Sequence, residues 1–251
     1  MPKWVEPETP PRGAVVVVGG RGETEVVYRR LTRRLAFDGY RIAVVGPSDA
    51  EGASLDEAEV IREVRALIRQ ADPASPVVLI GSDAGAAAVV RAATGASVTG
   101  IVLAGLLTQS AGEEPAGWED ELDIRSACPV HRGVLAGVAD GGGAVVPGRL
   151  AVDGGVLETS ELAGLTVPVL ALHGDGDRVS PLAEAAAVLA GVPDAQVVFV
   201  VDGRHDILND VSHRSVAAAI VQFLERLRLP GAAPILRGGD AADLPLAGRV
   251  G

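Results

Sequence analysis

The chain has 251 residues, of which 48% are hydrophobic and 3% aromatic, and it fits one α/β domain with a modest insertion and a core of Val, Leu and Ala. Its net charge of −11, from 22 basic and 33 acidic residues, argues against nucleic acid as a partner, which would require a basic face. No apolar run reaches the roughly 18–20 residues that span a bilayer, and a single cysteine, Cys128, excludes an intramolecular disulfide and predicts a reducing, cytoplasmic setting.

Residues 1–12 are polar and proline-rich, lack the apolar core of a secretory leader, and read as an arm. Ala14-Val15-Val16-Val17-Val18 is continuous and β-branched, the pattern of a strand buried on both faces. It runs into Gly19-Gly20-Arg21-Gly22-Glu23. A helix is expected next, with Val27, Leu31 and Leu35 on one stripe and Arg29, Arg30, Arg33 and Arg34 forming a solvated face. Gly39 is placed to end it. Arg41-Ile42-Ala43-Val44-Val45 is the second strand. Ser54-Leu55-Asp56-Glu57 has the spacing of a capping box. The helix it would start carries Val60, Ile61, Val64, Leu67 and Ile68 inward.

Pro76-Val77-Val78-Leu79-Ile80-Gly81 reads as the third strand and Val98 to Ala104 as the fourth. The alternation of strand and helix implies right-handed crossovers and a mostly parallel sheet flanked by helices. Periodicity breaks between about residues 109 and 166. A structureless loop of that length is unusual unless it is functional, so residues 111–166 read as a small cap insertion in a core formed by 1–110 and 167–229. Val167 to Leu172 resumes the sheet, Leu182 to Leu189 is helical, and Gln196 to Val201 is the last strand. The closing helix puts Val216, Ile220, Phe223 and Leu227 on one face. Residues 230–251 show no clear period and read as an extended or partly disordered tail.

The organising stretch is Gly81-Ser82-Asp83-Ala84-Gly85, between the third strand and a helix of small residues. Glycines two positions either side of a tip residue are the spacing of a nucleophile elbow, a strained strand-to-helix turn in which the two backbones pass close together. The tip here is Asp83, where serine is usual. Two further features follow later strands: His173-Gly174-Asp175-Gly176-Asp177-Arg178-Val179-Ser180-Pro181 and Asp202-Gly203-Arg204-His205-Asp206. All three lie at the carboxyl ends of strands, where open parallel sheets bind ligands. Asp83 is thus the candidate nucleophile and His205 the candidate base. Asp177 is the preferred orienting acid, since Val-Ser-Pro leads from it into the next helix; Asp175 is the fallback. Backbone N–H groups of Arg21 and Ala84 are candidates for an oxyanion hole.

With these residues in view, the chain resembles the α/β-hydrolases, in particular the monoacylglycerol lipase and lysophospholipase-like group of the serine aminopeptidase clan. Gly19-Gly20-Arg21-Gly22-Glu23, Tyr28 and Asp38-Gly39-Tyr40 resemble that group's oxyanion loop and first helix, which usually start with His-Gly. His205-Asp206-Ile207-Leu208-Asn209-Asp210 resembles its histidine segment, usually His-Glu-Leu-Leu-Asn-Asp. The match covers residues 13–110 and 167–228 and leaves the cap unmatched. The resemblance implies the α/β-hydrolase fold, a small-molecule substrate and no cofactor.

Asp83 departs from the group's serine. A carboxylate nucleophile on this fold resembles the epoxide hydrolases and haloalkane dehalogenases, in which the aspartate attacks a saturated carbon and histidine-activated water cleaves the ester. The cap tyrosines of the former and the tryptophan after the nucleophile of the latter have no counterpart here: the only tyrosines are Tyr28 and Tyr40, and Ala84 follows Asp83.

Alternatives stay open. Asp83 can instead be a polar residue at an elbow without chemistry, or the histidine can do acid–base work with no covalent intermediate. Ser82, beside the tip, is an alternative nucleophile, though a one-residue shift would lose the glycine spacing; with His131 and Arg132, in the reactive-rich cap segment 125–132, it is a candidate to contact the substrate, and the cap pair could equally be ordinary cap structure. His173 reads as a satisfied strand-end histidine and His213 as a helix-surface residue. No metal site is expected, because Cys128 and His131 alone fall short of a structural zinc set.

Overall fold

Six apolar runs of five or six residues set the sheet: β1 Ala14–Val18, β2 Arg41–Val45, β3 Val77–Ser82, β4 Gly100–Ala104, β5 Val169–Gly174 and β6 Ala195–Val200. In the computed structural model of the chain, residues 3–46, 56–108, 112–137, 150, 155–229, 231 and 235 are described. All six strands are parallel, in the order β2-β1-β3-β4-β5-β6. The chain leaves β1 for β2 and then returns to the other side of β1. The order therefore reverses between β1 and β3, and loops at their carboxyl ends diverge around a crevice. Arg21 follows β1 and Asp83 follows β3.

Alternate residues of each strand feed two cores. Val16, Val18 and Leu79 face α2 (Glu57–Gln70) and α3 (Gly85–Ala93). Val15, Val17 and Ile80 face α1 (Arg29–Phe37) and the closing helix His213–Leu227. That helix buries Val216, Ile220, Phe223 and Leu227, as its spacing predicts. Burying each such side chain stabilises the fold by about 1.5–3 kcal/mol. Apart from Arg91, α3 is made of Gly, Ala and Val; it is buried except at Arg91 and Ala93, so it lies close against the sheet.

Local chemistry differs from expectation in three places. A 3-10 turn, Glu25–Tyr28, precedes α1, so Val27 lies in the turn and not in the α-helix. Ser54, expected to begin the cap of α2, lies outside the described residues; the N-cap is Asp56, whose carboxylate accepts from the N–H groups of Ala58 and Glu59. Arg30 does not belong to a solvated face: its Nη2 donates to the Asn209 carbonyl at 2.6 Å, whereas Arg29, Arg33 and Arg34 are exposed. The N-terminal arm is anchored by an antiparallel bridge from Val5 to Ile42 on the β2 edge and by the Trp4 ring under the Arg41 guanidinium.

Between β4 and β5 the described residues form three short helices, α4 Trp118–Arg125, α5 Pro129–Leu135 and α6 Thr159–Ala163. After β5 come α7, Leu182–Leu189, and then β6; the closing helix is α8. Most of the expected tail lies outside the described residues.

Candidate functional site

β3 ends in a turn that only certain residues permit. Asp83 has a φ of +52°, a left-handed conformation that costs a non-glycine residue about 1 kcal/mol or more. The flanking glycines are required by contact. A Cβ on Gly81 would lie 2.6 Å from Ala86 Cα, and one on Gly85 would lie 2.6 Å from the Gly19 carbonyl oxygen. The turn is fixed by Asp83 N–H donating to the Ala104 carbonyl and Ala86 N–H donating to the Asp83 carbonyl, each at 3.0 Å.

His205 comes from the turn after β6 and is buried. Its Nδ1 is 2.9 Å from Asp177 Oδ2 and its Nε2 is 3.2 Å from Asp83 Oδ1. Both carboxylates are acceptors only, so a ring bonded to both carries two protons and is an imidazolium. Burial opposes that charge, but the Asp177 charge and hydrogen bond, joined by Asp83, outweigh it and push His205 up to about 10. Asp177 is itself oriented, since its Oδ1 accepts from the Val179 and Ser180 N–H groups at 2.8 and 3.0 Å. Burial opposes its ionisation, yet the His205 charge and hydrogen bond hold it below its ordinary value. The fallback acid, Asp175, is exposed and accepts from Asp202 N–H.

Arg21 closes the other side. Its backbone N–H donates to Asp83 Oδ2 at 2.6 Å, its Nε reaches both carboxylate oxygens at 3.0 and 2.9 Å, and its Nη2 reaches Oδ1 at 2.8 Å. Burial alone would raise the Asp83 carboxyl, but the Arg21 charge, followed by the His205 hydrogen bond and charge, holds it well below the usual carboxylate range. The sequence marks the Arg21 N–H; its side chain is a partner that spacing does not reveal. Ala84, the other residue expected to offer an N–H, is the N-cap of α3. Ile124, Leu107, Leu150 and Val179 form an apolar cluster against Ala84 and Val156, and the Leu150 carbonyl accepts from Arg21 Nη1 at 2.7 Å.

The remaining candidates are placed elsewhere. Ser82 is buried at the strand end, with its hydroxyl bonded to Tyr28. His131 Nε2 is bonded to Asp206 Oδ2 at 2.9 Å, and Arg132 Nη1 donates to Asp123 at 3.2 Å. His173 Nε2 donates to the Ser180 carbonyl at 2.7 Å, as a satisfied strand-end histidine would. His213 is half-buried at the start of α8, its Nδ1 bonded to the Asp210 carbonyl.

A second buried charge group adjoins the first. Glu23 accepts from Gly20 N–H at 2.8 Å and from the Tyr28 hydroxyl. Arg125 is fully buried: its Nη1 lies 3.5 Å from Asp206 Oδ1 and 3.7 Å from Glu23 Oε1, and its Nε 3.2 Å from Glu121. It also ties the two loops of the site together, because its Nη2 donates to the Arg21 carbonyl and its own carbonyl accepts from Asp206 N–H. Burial and the Asp206 charge push Glu23 up to about 6, against the pull of Arg125. Glu23, His131 and Asp206 offer ligand atoms within 4.8 Å of one another, but the Arg125 guanidinium already supplies the positive charge a cation would bring.

No family model matches the chain, and no curated protein matches it in sequence. Solved structures do match. A monoacylglycerol lipase from Paleococcus ferrophilus superposes with a TM-score of 0.71 at 18% identity over 90% of this chain and 99% of its own. A soluble variant of monoglyceride lipase from Saccharomyces cerevisiae, in complex with a substrate analog, gives 0.70 at 15% identity over 90% of each chain. An esterase from Exiguobacterium antarcticum gives 0.65 at 15% identity, covering 89% and 94%. The parallel sheet, its flanking helices and these superpositions show that the chain has the α/β-hydrolase fold.

Proposed function

We propose that the protein is a hydrolase that attacks a small organic substrate with Asp83, using His205 as acid and then base and Asp177 to orient it, in epoxide- or ester-type hydrolysis. The observation that carries this reading is the continuous contact from Asp177 through His205 to Asp83, at 2.9 and 3.2 Å, on an elbow with a φ of +52°. The solved structures with this fold include proteins named lipases and esterases, which favours hydrolysis. Residues 111–166 are read as the cap, with Ile124 packing beside Ala84. No helix among the described residues is long and apolar enough to cross a membrane; with the lone buried Cys128, a cytoplasmic setting is proposed.

The chemistry follows from the charges. Asp83 Oδ1 forms a bond to a saturated carbon, and the carbon's bond to its leaving oxygen or halide breaks with the electron pair. An epoxide oxygen then takes the proton from His205 Nε2. Attack converts the Asp83 carboxylate into a neutral ester, which removes one of the two charges that hold the imidazolium protonated. The ester thus switches His205 to the neutral form that can deprotonate water. Neutral His205 takes one proton from a water as its oxygen adds to the ester carbonyl, and the charge that develops on Oδ2 falls on the Arg21 N–H, 2.6 Å away in the resting state. Collapse breaks the bond between the Asp83 carbonyl carbon and Oδ1, the product oxygen takes the water's other proton and leaves as an alcohol, and the Asp83 carboxylate and the His205 imidazolium are restored.

A second reading is favoured by one observation: the Arg21 side chain grips both oxygens of the carboxylate that would have to attack. On that reading the fold is catalytically silent and binds a ligand or partner. Intact-mass measurement after incubation with an epoxide or alkyl halide separates the two. Hydrolysis predicts an adduct on Asp83 that persists in His205→Ala; no adduct and no turnover across ester, epoxide and halide panels would leave the silent reading. Turnover kept by Asp83→Asn but lost in His205→Ala would instead mean chemistry without a covalent intermediate.

A further inference from the structure

A groove of about 440 Å³ lies where α1 meets α8, within the size range of small-molecule sites. Its walls are Arg30, Arg33 and Arg34 from α1 and His213 and Arg214 from α8, and its floor is Leu31, Leu208 and Ala217. Among the described residues no acid lines it, in a chain with 33 acidic against 22 basic residues. Arg30, Arg33 and Arg34 share one face of α1, and like charges so spaced on a helix repel. A face needed only for solubility is served as well by mixed signs. Two of the walls are held in place: Arg30 Nη2 donates to the Asn209 carbonyl at 2.6 Å, and Arg34 Nε to Asp38 at 2.7 Å. Arg33 and Arg214 are exposed and have no ion pair among the described residues. His213 Nδ1 donates to the Asp210 carbonyl at 3.0 Å, so Nε2 is the ring atom left for a ligand.

We propose that this groove binds a small organic phosphate, a monoester whose phosphate is held by Arg33 and Arg214 and whose short apolar arm lies on Leu31, Leu208 and Ala217. The site is independent of any chemistry at Asp83. The count of charges selects phosphate over carboxylate. Asp38 answers Arg34, which leaves Arg30, Arg33 and Arg214, and a dianion meets more of that charge than a monoanion does. Guanidinium groups reaching in from two helices can each pair two phosphate oxygens through parallel N–H groups. The floor adds a second selection. Burying about two methylenes of the arm raises affinity roughly tenfold over the bare anion. Inorganic phosphate lacks the arm and a carboxylate lacks the second charge, so each is the weaker ligand. The groove is a recess between helices that a free ester enters whole, which favours a soluble ligand over a headgroup fixed in a bilayer.

The test titrates the full chain with butyl phosphate, inorganic phosphate and pentanoate. The buffer is at about pH 8, where the ester is a dianion, with about 0.15 M salt, which screens diffuse attraction beyond roughly 8 Å. Binding is read by calorimetry and by proton NMR of the histidine rings. The chain has four histidines, and His131, His173 and His205 are buried outside the groove, so the His213 ring alone should shift. Butyl phosphate should bind one to one, about tenfold more tightly than either other probe, and about tenfold more weakly in Arg33→Gln and in Arg214→Gln. Arg62→Gln, at an exposed position of α2 on the opposite side of the sheet, should leave binding unchanged. A loss in Arg62→Gln as large as in Arg33→Gln, binding without a shift at His213, or no binding by any probe overturns the site. Inorganic phosphate or pentanoate binding as tightly as butyl phosphate overturns the ligand class. Co-sedimentation with phosphatidylcholine vesicles containing phosphatidate, not reversed by butyl phosphate, overturns the soluble ligand in favour of a lipid headgroup.

Discussion

Arg21, Asp83, His205 and Asp177 form one buried line of alternating charge; Glu23, Arg125, Asp206 and His131 form another, joined to the first at adjacent residues 205 and 206. Both are buried and both pair acids with bases, yet they are built differently. The first is carried by loops at the carboxyl ends of β1, β3, β5 and β6, and its centre sits on a strained turn. In the second, Glu23 Oε2 is fastened to Gly20 N–H and the Tyr28 hydroxyl, Asp206 to His131 and Arg125, and Arg125 to the carbonyl of Arg21. Burial and ion pairing are therefore no signature of chemistry. What sets the first group apart is a carboxylate on a strained turn that takes partners from two other loops, Arg21 after β1 and His205 after β6, while the second ties the Arg21 loop to Arg125 and Asp206.

Breaking the first group should act on turnover. Asp177→Asn keeps the size of the side chain but removes the charge that stabilises the His205 imidazolium. Steady-state turnover of an epoxide or alkyl halide should fall roughly 10³–10⁴-fold, with the Asp83 ester accumulating by intact mass. Unchanged turnover would place His205 outside the reaction.

The second group should act on stability. Arg125→Met leaves Glu23 and Asp206 buried without their cation, and loss of one partner of such a group costs about 3–5 kcal/mol, measurable as a lowered urea midpoint. His205 gives the first group its own stability signature. Its folded pKa of about 10 lies above the ordinary 6.5, so its stabilisation is fully present below pH 6.5 and is lost as pH rises toward 10, by several kcal/mol. Urea unfolding across that window should show the loss in the unmutated chain and not in His205→Gln.

The same contrast explains what the sequence made legible. Elbow glycines act through contacts with residues a few positions away or on the next strand, so Gly81 and Gly85 are visible as spacing. Asp177 was separable from Asp175 because Val179 and Ser180 follow it and supply the N–H groups it accepts. The Arg21 side chain and Arg125 were invisible as partners, since their targets lie 62 and 104 residues away in sequence and the direction of a long arginine is settled only when the loops meet. His131 and Arg132 stand in a segment dense in reactive types, and the structure gives them to Asp206 and Asp123. The segment's composition reflects a network of buried charges as much as any surface for substrate.

The smallest expected effect is the sharpest test of the division between the groups. Glu23 has a folded pKa of about 6 against an ordinary value of 4.5, so the native state holds its proton more tightly than the unfolded chain does. Its stabilisation is present below pH 4.5 and is lost as pH rises to 6, by about 2 kcal/mol. Asp83 and Asp177 are shifted downward, so their stabilisation is present above about pH 4 and is lost at lower pH; it does not change in the same window. Urea midpoints at pH 4.5 and 6 should therefore differ between the unmutated chain and Glu23→Gln, which mimics the protonated acid and keeps a partner for Tyr28 and Gly20. If the second group only holds the walls, Glu23→Gln alters this pH dependence while the labelling rate of Asp83 stays within about twofold, since both hydrogen bonds to the Gly20 loop have acceptors and Arg21 keeps its place. A labelling rate that instead followed the Glu23 titration would join the two groups into one machine, with the proton on Glu23 setting the position of Arg21 over the carboxylate.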